Sequence, residues 1–139
     1  NDHPISLRDI RLPIFTVATE TDHIAPWQSV YKIVNLTNTD VTFTLTNGGH
    51  NAGILSDPGH PRRHYRIASQ RADDRFVSPD EWCQRQPVNE GSWWIAWVDW
   101  LDQHSGKPVS PPALGAAEHG YPSLYDAPGR YVLERELKS

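Results

Sequence analysis

The stretch Leu12–Ala18, inside RLPIFTVAT, is an almost unbroken apolar run, the pattern of a strand buried on both faces in a parallel sheet. Pro13 falls near its start, where a missing N–H is tolerated. In IAPWQSVYKIVNL the period changes. Trp27, Val30, Tyr31 and Val34 stand at i, i+3, i+4 and i+7, which predicts a helix with Pro26 at its first position. VTFTLTN then alternates strictly, Val41, Phe43 and Leu45 against Thr42, Thr44 and Thr46, and predicts a half-buried strand near a sheet edge. Strand, helix and strand with short links predict one right-handed βαβ crossover.

Beyond His50 the chain loses its period. SDPGHPRRHYR, punctuated by Pro and Gly, reads as a loop. Ser78-Pro79-Asp80-Glu81 has the form of a capping box and predicts a short helix through Trp82. A stronger helix follows in GSWWIAWVDWLDQHSG, with a cap at Ser92 and a stop at Gly106. Its apolar face, built from Trp93, Trp94, Trp97, Val98, Trp100 and Leu101, is wide enough to pack against something large. Residues 107–128, rich in Pro, Ala and Gly, read as an extended surface segment, and Arg130 to Glu136 as a short terminal strand. No repeat and no second domain is visible.

A chain of 139 residues is about one domain long. Its net charge of −4 argues against nucleic acid as the main partner, since phosphate binding needs a basic surface. Mean hydropathy is −0.61, no apolar run is long enough to span a bilayer, and the first residues lack a signal-peptide pattern. The single cysteine, Cys83, points to a reducing compartment. The chain opens on Asn1 and holds no Met, and its first strand would need partners on both sides. Too few other strands are readable to supply them, so an incomplete, mostly parallel α/β sheet is expected.

In such a sheet, functional groups gather at the carboxyl ends of the strands. Asp22, in TETDHIAPW, follows the first strand, and His50, in NGGHNAG, follows the second. If the strands are neighbours, the carboxylate can fix the imidazole tautomer and leave the other ring nitrogen free as a base toward a nucleophile. Gly48 and Gly49 would permit a tight turn before His50. Acid followed by His is the order that ends an α/β-hydrolase triad, whose nucleophile sits earlier on a G-x-S-x-G or G-x-C-x-G elbow. No such elbow is present. Neither Gly91-Ser92 nor Cys83 in EWCQRQ has glycines at the needed spacing. Against the catalytic reading stand simpler ones: Asp22 as a helix N-terminal residue and His50 as a polar turn residue.

Other candidates have less behind them. Asp57, His60 and His64 have loop spacing for a metal, but Arg62, Arg63 and two prolines among them disfavour a cation, so no metal is expected. Arg62, Arg63, Arg66, Arg71 and Arg75 form a basic run that could meet phosphate groups, with an ordinary charged surface the commoner alternative. His23 either lines the site or packs locally. Trp82, Trp93, Trp94, Trp97 and Trp100 could form a sugar or polymer platform; at helical spacing they are more often core or interface. Cys83 reads as a buried structural thiol.

With these residues in view, the chain resembles the C-terminal part of a polyhydroxyalkanoate synthase. The resemblance is carried, in order, by LRDIRLPIF, ETDHIAPWQSVY, VTFTLTNGGHNAGI, GSWWIAWVDWL and YPSLYDAPGRYVLER, which together span nearly the whole chain. It implies the C-terminal half of an α/β-hydrolase fold, a βαβ unit plus C-terminal helices, within a cytoplasmic enzyme at the surface of polyester granules. It implies a Cys-His-Asp triad that polymerises (R)-3-hydroxyacyl-CoA onto a growing polyester chain, releases coenzyme A and uses no cofactor. His50 would be the general base. Asp22 would either orient His50 or help deprotonate the incoming 3-hydroxyl, and the nucleophilic Cys would lie upstream. Residues 1–139 alone would then be inactive. Gly48-Gly49-His50-Asn51 and HPRRHYRI depart from the family's usual pattern and bear on acyl-chain specificity. Competing readings are a stand-alone binding or homodimerisation module that uses the Trp-rich helix, and part of a Ser-elbow depolymerase.

Overall fold

The computed structural model of the chain describes residues 4–134. They group into two compact units, divided between Ser105 and Gly106.

The first unit is α/β. Its sheet has the order β1 (Ile14–Thr19), β2 (Val41–Thr46), β3 (His64–Gln70), β4 (Asn89–Glu90). β1 and β2 pair in parallel, with Ile14 opposite Val41 and Thr19 opposite Thr46. β3 runs antiparallel to β2, and β4 antiparallel to β3. The sheet is therefore mixed, not mostly parallel. The sequence pattern around His64–Arg66 predicts loop, whereas β3 begins at His64. The link from β2 to β3 carries turns but no crossover helix, and a helix-free return of that length favours an antiparallel partner.

β2 occupies the interior of the sheet, and all six of its residues are buried. The edge position expected for it falls to β1, whose outer side has no strand partner among the described residues. β-branched and aromatic residues suit a strand packed on both faces. On one face Phe43 and Leu45 join Ala18, Tyr31 and Trp82 in the core. Phe43 meets Tyr31 and Trp82 edge to face, each at 5.0 Å between centroids, the arrangement the ring quadrupoles favour. On the other face the threonines are covered, not solvated. Thr42 Oγ1 lies 2.8 Å from Ser69 Oγ, and the Thr46 hydroxyl donates to His64 O at 3.3 Å.

The helix expected between β1 and β2 is two short ones, α1 (Trp27–Tyr31) and α2 (Ile33–Leu36), separated at Lys32. The predicted face holds: Tyr31 is buried, and Trp27, Val30 and Val34 pack against the core. α3 (Pro79–Arg85) begins at the Ser78 cap, whose hydroxyl accepts from Glu81 N at 3.3 Å, and buries Trp82. α4 (Trp94–Gln103) lies over the face that carries Phe15. Trp93, just before it, stacks on Phe15 at 6.1 Å, and Trp100 meets Phe15 edge to face at 5.7 Å. A cleft of about 310 Å³ lined by Phe15, Thr42, Ser69 and Trp100 remains between sheet and helix. Only part of the wide apolar face is covered, because Ile95, Trp97, Val98 and Leu101 stay exposed.

In the second unit, β5 (Gly115–Ala116) and β6 (Tyr121–Pro122) pair antiparallel around a 3₁₀ turn that Gly120 ends at φ +84°. The strand expected from Arg130 is instead the helix α5 (Arg130–Leu133), and residues 135–136 of that expectation lie outside the described residues. No helix among the described residues is long and apolar enough to cross a membrane.

Candidate active site

The parallel pairing of β1 and β2 delivers Asp22 and His50 to the same end of the sheet. The ladder continues past both strands, with Glu20 N donating to Thr46 O at 2.9 Å and Thr21 N to Gly48 O at 3.1 Å. The chain then turns sharply, and Asp22 N donates back to Thr19 O at 3.3 Å. This turn presents Asp22 Oδ1 to two amides, Ile24 N at 2.8 Å and Ala25 N at 2.9 Å. The local-capping reading of Asp22 is thus satisfied by one carboxylate oxygen, one turn ahead of α1.

The other oxygen meets the histidine. His50 Nδ1 lies 2.9 Å from Asp22 Oδ2. The Asp22 carboxyl is held down at about 2, chiefly by the Ala25 amide, then by the His50 hydrogen bond, with the Ile24 amide adding to both. An ionised carboxylate can only accept, so neutral His50 donates from Nδ1 and keeps its lone pair on Nε2. Nε2 makes no hydrogen bond among the described residues. The imidazole side chain is 50% exposed and the Asp22 side chain only 9%. A carboxylate that fixes the tautomer of an accessible imidazole in this way leaves Nε2 able to accept a proton.

The turn that carries His50 needs its glycines for different reasons. Gly48 adopts φ +106°, which favours glycine. Gly53 closes the turn with N–H to Gly49 O at 3.0 Å and lies directly against Thr19. Side chains from elsewhere hold the turn's carbonyls. Arg63 donates to Ala52 O, Trp93 Nε1 to Gly53 O at 3.1 Å, Trp94 Nε1 to Ile54 O at 2.9 Å, and the Ser92 hydroxyl to Ser56 O. The helical spacing of Trp93 and Trp94 predicts core, interface or a platform and carries no sign of these contacts. The one signal available was an indole-rich helix start following a glycine-rich turn.

Other candidates are placed apart from the pair. His23 is exposed. His60 Nδ1 donates to Pro61 O at 2.9 Å, whereas His64 Nε2 faces Glu20 at 3.7 Å, and no cluster of metal-ligating residues occurs among the described residues. In the basic run, Arg66 pairs with Glu20 at 3.4 Å and Arg63 serves the His50 turn; Arg62, Arg71 and Arg75 are exposed. Cys83 is half-buried and packs against the core beside Trp82.

No protein-family model matches the chain. Individual proteins do. Poly(3-hydroxyalkanoate) polymerase 2 of Ectopseudomonas oleovorans is 39% identical over 132 residues, covering 95% of this chain and 23% of that protein. Poly(3-hydroxyalkanoate) polymerase 1 of the same organism is 34% identical over 133 residues, again 95% of this chain and 23% of that protein. The poly(3-hydroxyalkanoate) polymerase subunit PhaC of Cupriavidus necator is 32% identical over 130 residues, 93% of this chain and 21% of that protein. The chain is a relative of the poly(3-hydroxyalkanoate) polymerases. It spans less than a quarter of the length of these polymerases, and the matched span takes in both Asp22 and His50.

Proposed function

We propose that residues 1–139 are the C-terminal part of an α/β-hydrolase-type catalytic domain in a poly(3-hydroxyalkanoate) polymerase, and that they supply the base and acid of a Cys-His-Asp triad. The observation that carries this reading is the 2.9 Å contact between His50 Nδ1 and Asp22 Oδ2 at the carboxyl end of two parallel strands. The outer side of β1, which has no strand partner among the described residues, supports it as well, since an exposed apolar edge strand is a template for pairing.

In the mechanism, His50 Nε2 takes the proton of a cysteine thiol contributed from outside these residues. The thiolate attacks the thioester carbonyl of an (R)-3-hydroxyacyl-CoA and forms an acyl-enzyme, with coenzyme A leaving as its thiol. The 3-hydroxyl of the next unit then attacks the acyl-enzyme thioester; His50 removes its proton and returns it to the departing cysteine sulfur, so the ester bond forms as the C–S bond breaks and the free thiol is regenerated. Asp22 holds the ring in the Nδ1–H tautomer and stabilises the imidazolium in both steps. Cys83, packed beside Trp82 with no glycine elbow, is not the nucleophile. Residues 1–139 alone are inactive on this reading, and the intact enzyme works in the cytoplasm at the surface of polyester granules.

The test is coenzyme A release by the full-length protein. His50→Ala lowers it by about 10²–10⁴-fold, the usual contribution of a general base. Near-native release and polymer yield from that variant would remove the assignment. A second reading, a homodimerisation module, draws on the exposed outer face of α4 at Ile95, Trp97, Val98 and Leu101. It gains ground if no G-x-C-x-G elbow is encoded upstream in frame; a G-x-S-x-G elbow would point to a depolymerase.

A further inference from the structure

The turn from Asn47 to Leu55 has little backbone bonding of its own: Gly53 N to Gly49 O and Leu55 N to Asn51 O, each at 3.0 Å. Side chains from outside the turn hold it: Arg63 on Ala52 O and, across 40 positions of chain at the start of α4, the two indole donors on Gly53 O and Ile54 O. Trp93 is 5% exposed, so its N–H has no ready exchange with water, and a buried indole without an acceptor is costly. Its ring is anchored in turn by stacking on Phe15 of β1. Gly53 presses against Thr19, the last residue of β1, and the Thr19 carbonyl accepts from Asp22 N. One continuous support therefore runs from the Trp93 ring, through the His50 turn, to the turn that carries Asp22.

We propose that Trp93 and Trp94 are positioning residues for His50: their indole N–H groups hold the turn where Nδ1 meets Asp22. The catalytic meaning of this rests on the base role given to His50 above, but the geometry can be tested without catalysis. If the hydrogen bonds matter and not only the rings, Trp93→Phe and Trp94→Phe keep the packing and lose the hold.

The experiment is nitrogen-15 NMR of the 139-residue chain. In the unsubstituted chain, the Trp93 and Trp94 indole N–H resonances shift with the same pH midpoint as the His50 ring, and the step vanishes in His50→Gln. Any step in the Trp100 indole, which stacks on His104 at 4.1 Å, survives in His50→Gln. In each folded Phe variant, the Nδ1–H tautomer of His50 gives way to a mixture with Nε2–H. Folded Phe variants that keep a single Nδ1–H tautomer overturn the proposal. Should the variants not fold, the titration decides: a step at the His50 midpoint supports the proposal, and indoles that ignore His50 overturn it. An active full-length His50→Ala protein would remove the catalytic reading and leave this positioning intact, so the two failures are distinguishable.

Discussion

Gly49 and Gly53 flank His50 in the same turn, and the account predicts opposite outcomes for replacing them with alanine. A Cβ at Gly53 would lie 2.5 Å from Thr19 Cγ2 and 2.8 Å from Asn47 O, where ordinary contact begins near 3.4 Å. Thr19 is buried in the sheet and Asn47 O is backbone, so neither can yield easily. The turn must back away by on the order of 0.5–1 Å, and overpacking of this kind costs about 1–3 kcal/mol. For a chain of this size that is a fall in Tm of roughly 4–12 °C. The movement also opens the His50–Asp22 contact from 2.9 Å to beyond hydrogen-bond range. At Gly49 the nearest atom to an added Cβ is Thr21 Oγ1 at 3.6 Å, which is ordinary contact. Gly49→Ala is therefore expected to change stability by less than about 1 kcal/mol, through the unfolded chain as much as the folded one. Thermal unfolding of both variants, with the His50 Nδ1–H signal followed by NMR, checks the pair. Equal loss from both, or a Gly53→Ala protein that keeps its melting point and its Nδ1–H signal, would refute the packing argument.

Further expectations follow from the same contacts. The Asp22 carboxyl, lowered from 3.8 to about 2 by the Ala25 amide, His50 and the Ile24 amide, contributes stability that is present above pH 4 and lost as pH falls through about 2. Asp22→Asn should remove up to about one proton from the uptake on unfolding between pH 2 and 4; an unchanged pH slope would contradict the pairing. Phe43→Ala removes the ring at the centre of the Tyr31, Trp27 and Trp82 contacts and should cost about 3–5 kcal/mol, measured by urea unfolding. Val98→Ser on the exposed side of α4 should stay within about 0.5 kcal/mol in the same assay.

The pairing of Asp22 with His50 was legible because it depended on little beyond two apolar strands, each followed by a short turn, lying side by side. The apolar run before Asp22 and the period-2 pattern before His50 carried that information. β3 was not legible, because His64 and Arg66 look like loop residues until Glu20 is placed beside them, 46 positions earlier than Arg66 in the case of its hydrogen bond. The threonine face of β2 looked solvated for a similar reason. The Thr42 and Thr46 hydroxyls find Ser69 Oγ and His64 O on β3, and α4 lies above, which only tertiary placement supplies. The role of Trp93 and Trp94 was hidden in their apolarity, since a helical period reports the ring and not the single N–H at its edge.

The central claim is that His50, held by Asp22, activates a cysteine supplied from outside these residues. Peptide mapping by mass spectrometry after the full-length protein meets a 3-hydroxyacyl-CoA tests it most directly. The account predicts an acyl adduct on an upstream cysteine in the unsubstituted protein and its loss in His50→Gln. An adduct that forms at the same rate in both, or one found on Cys83, would contradict it.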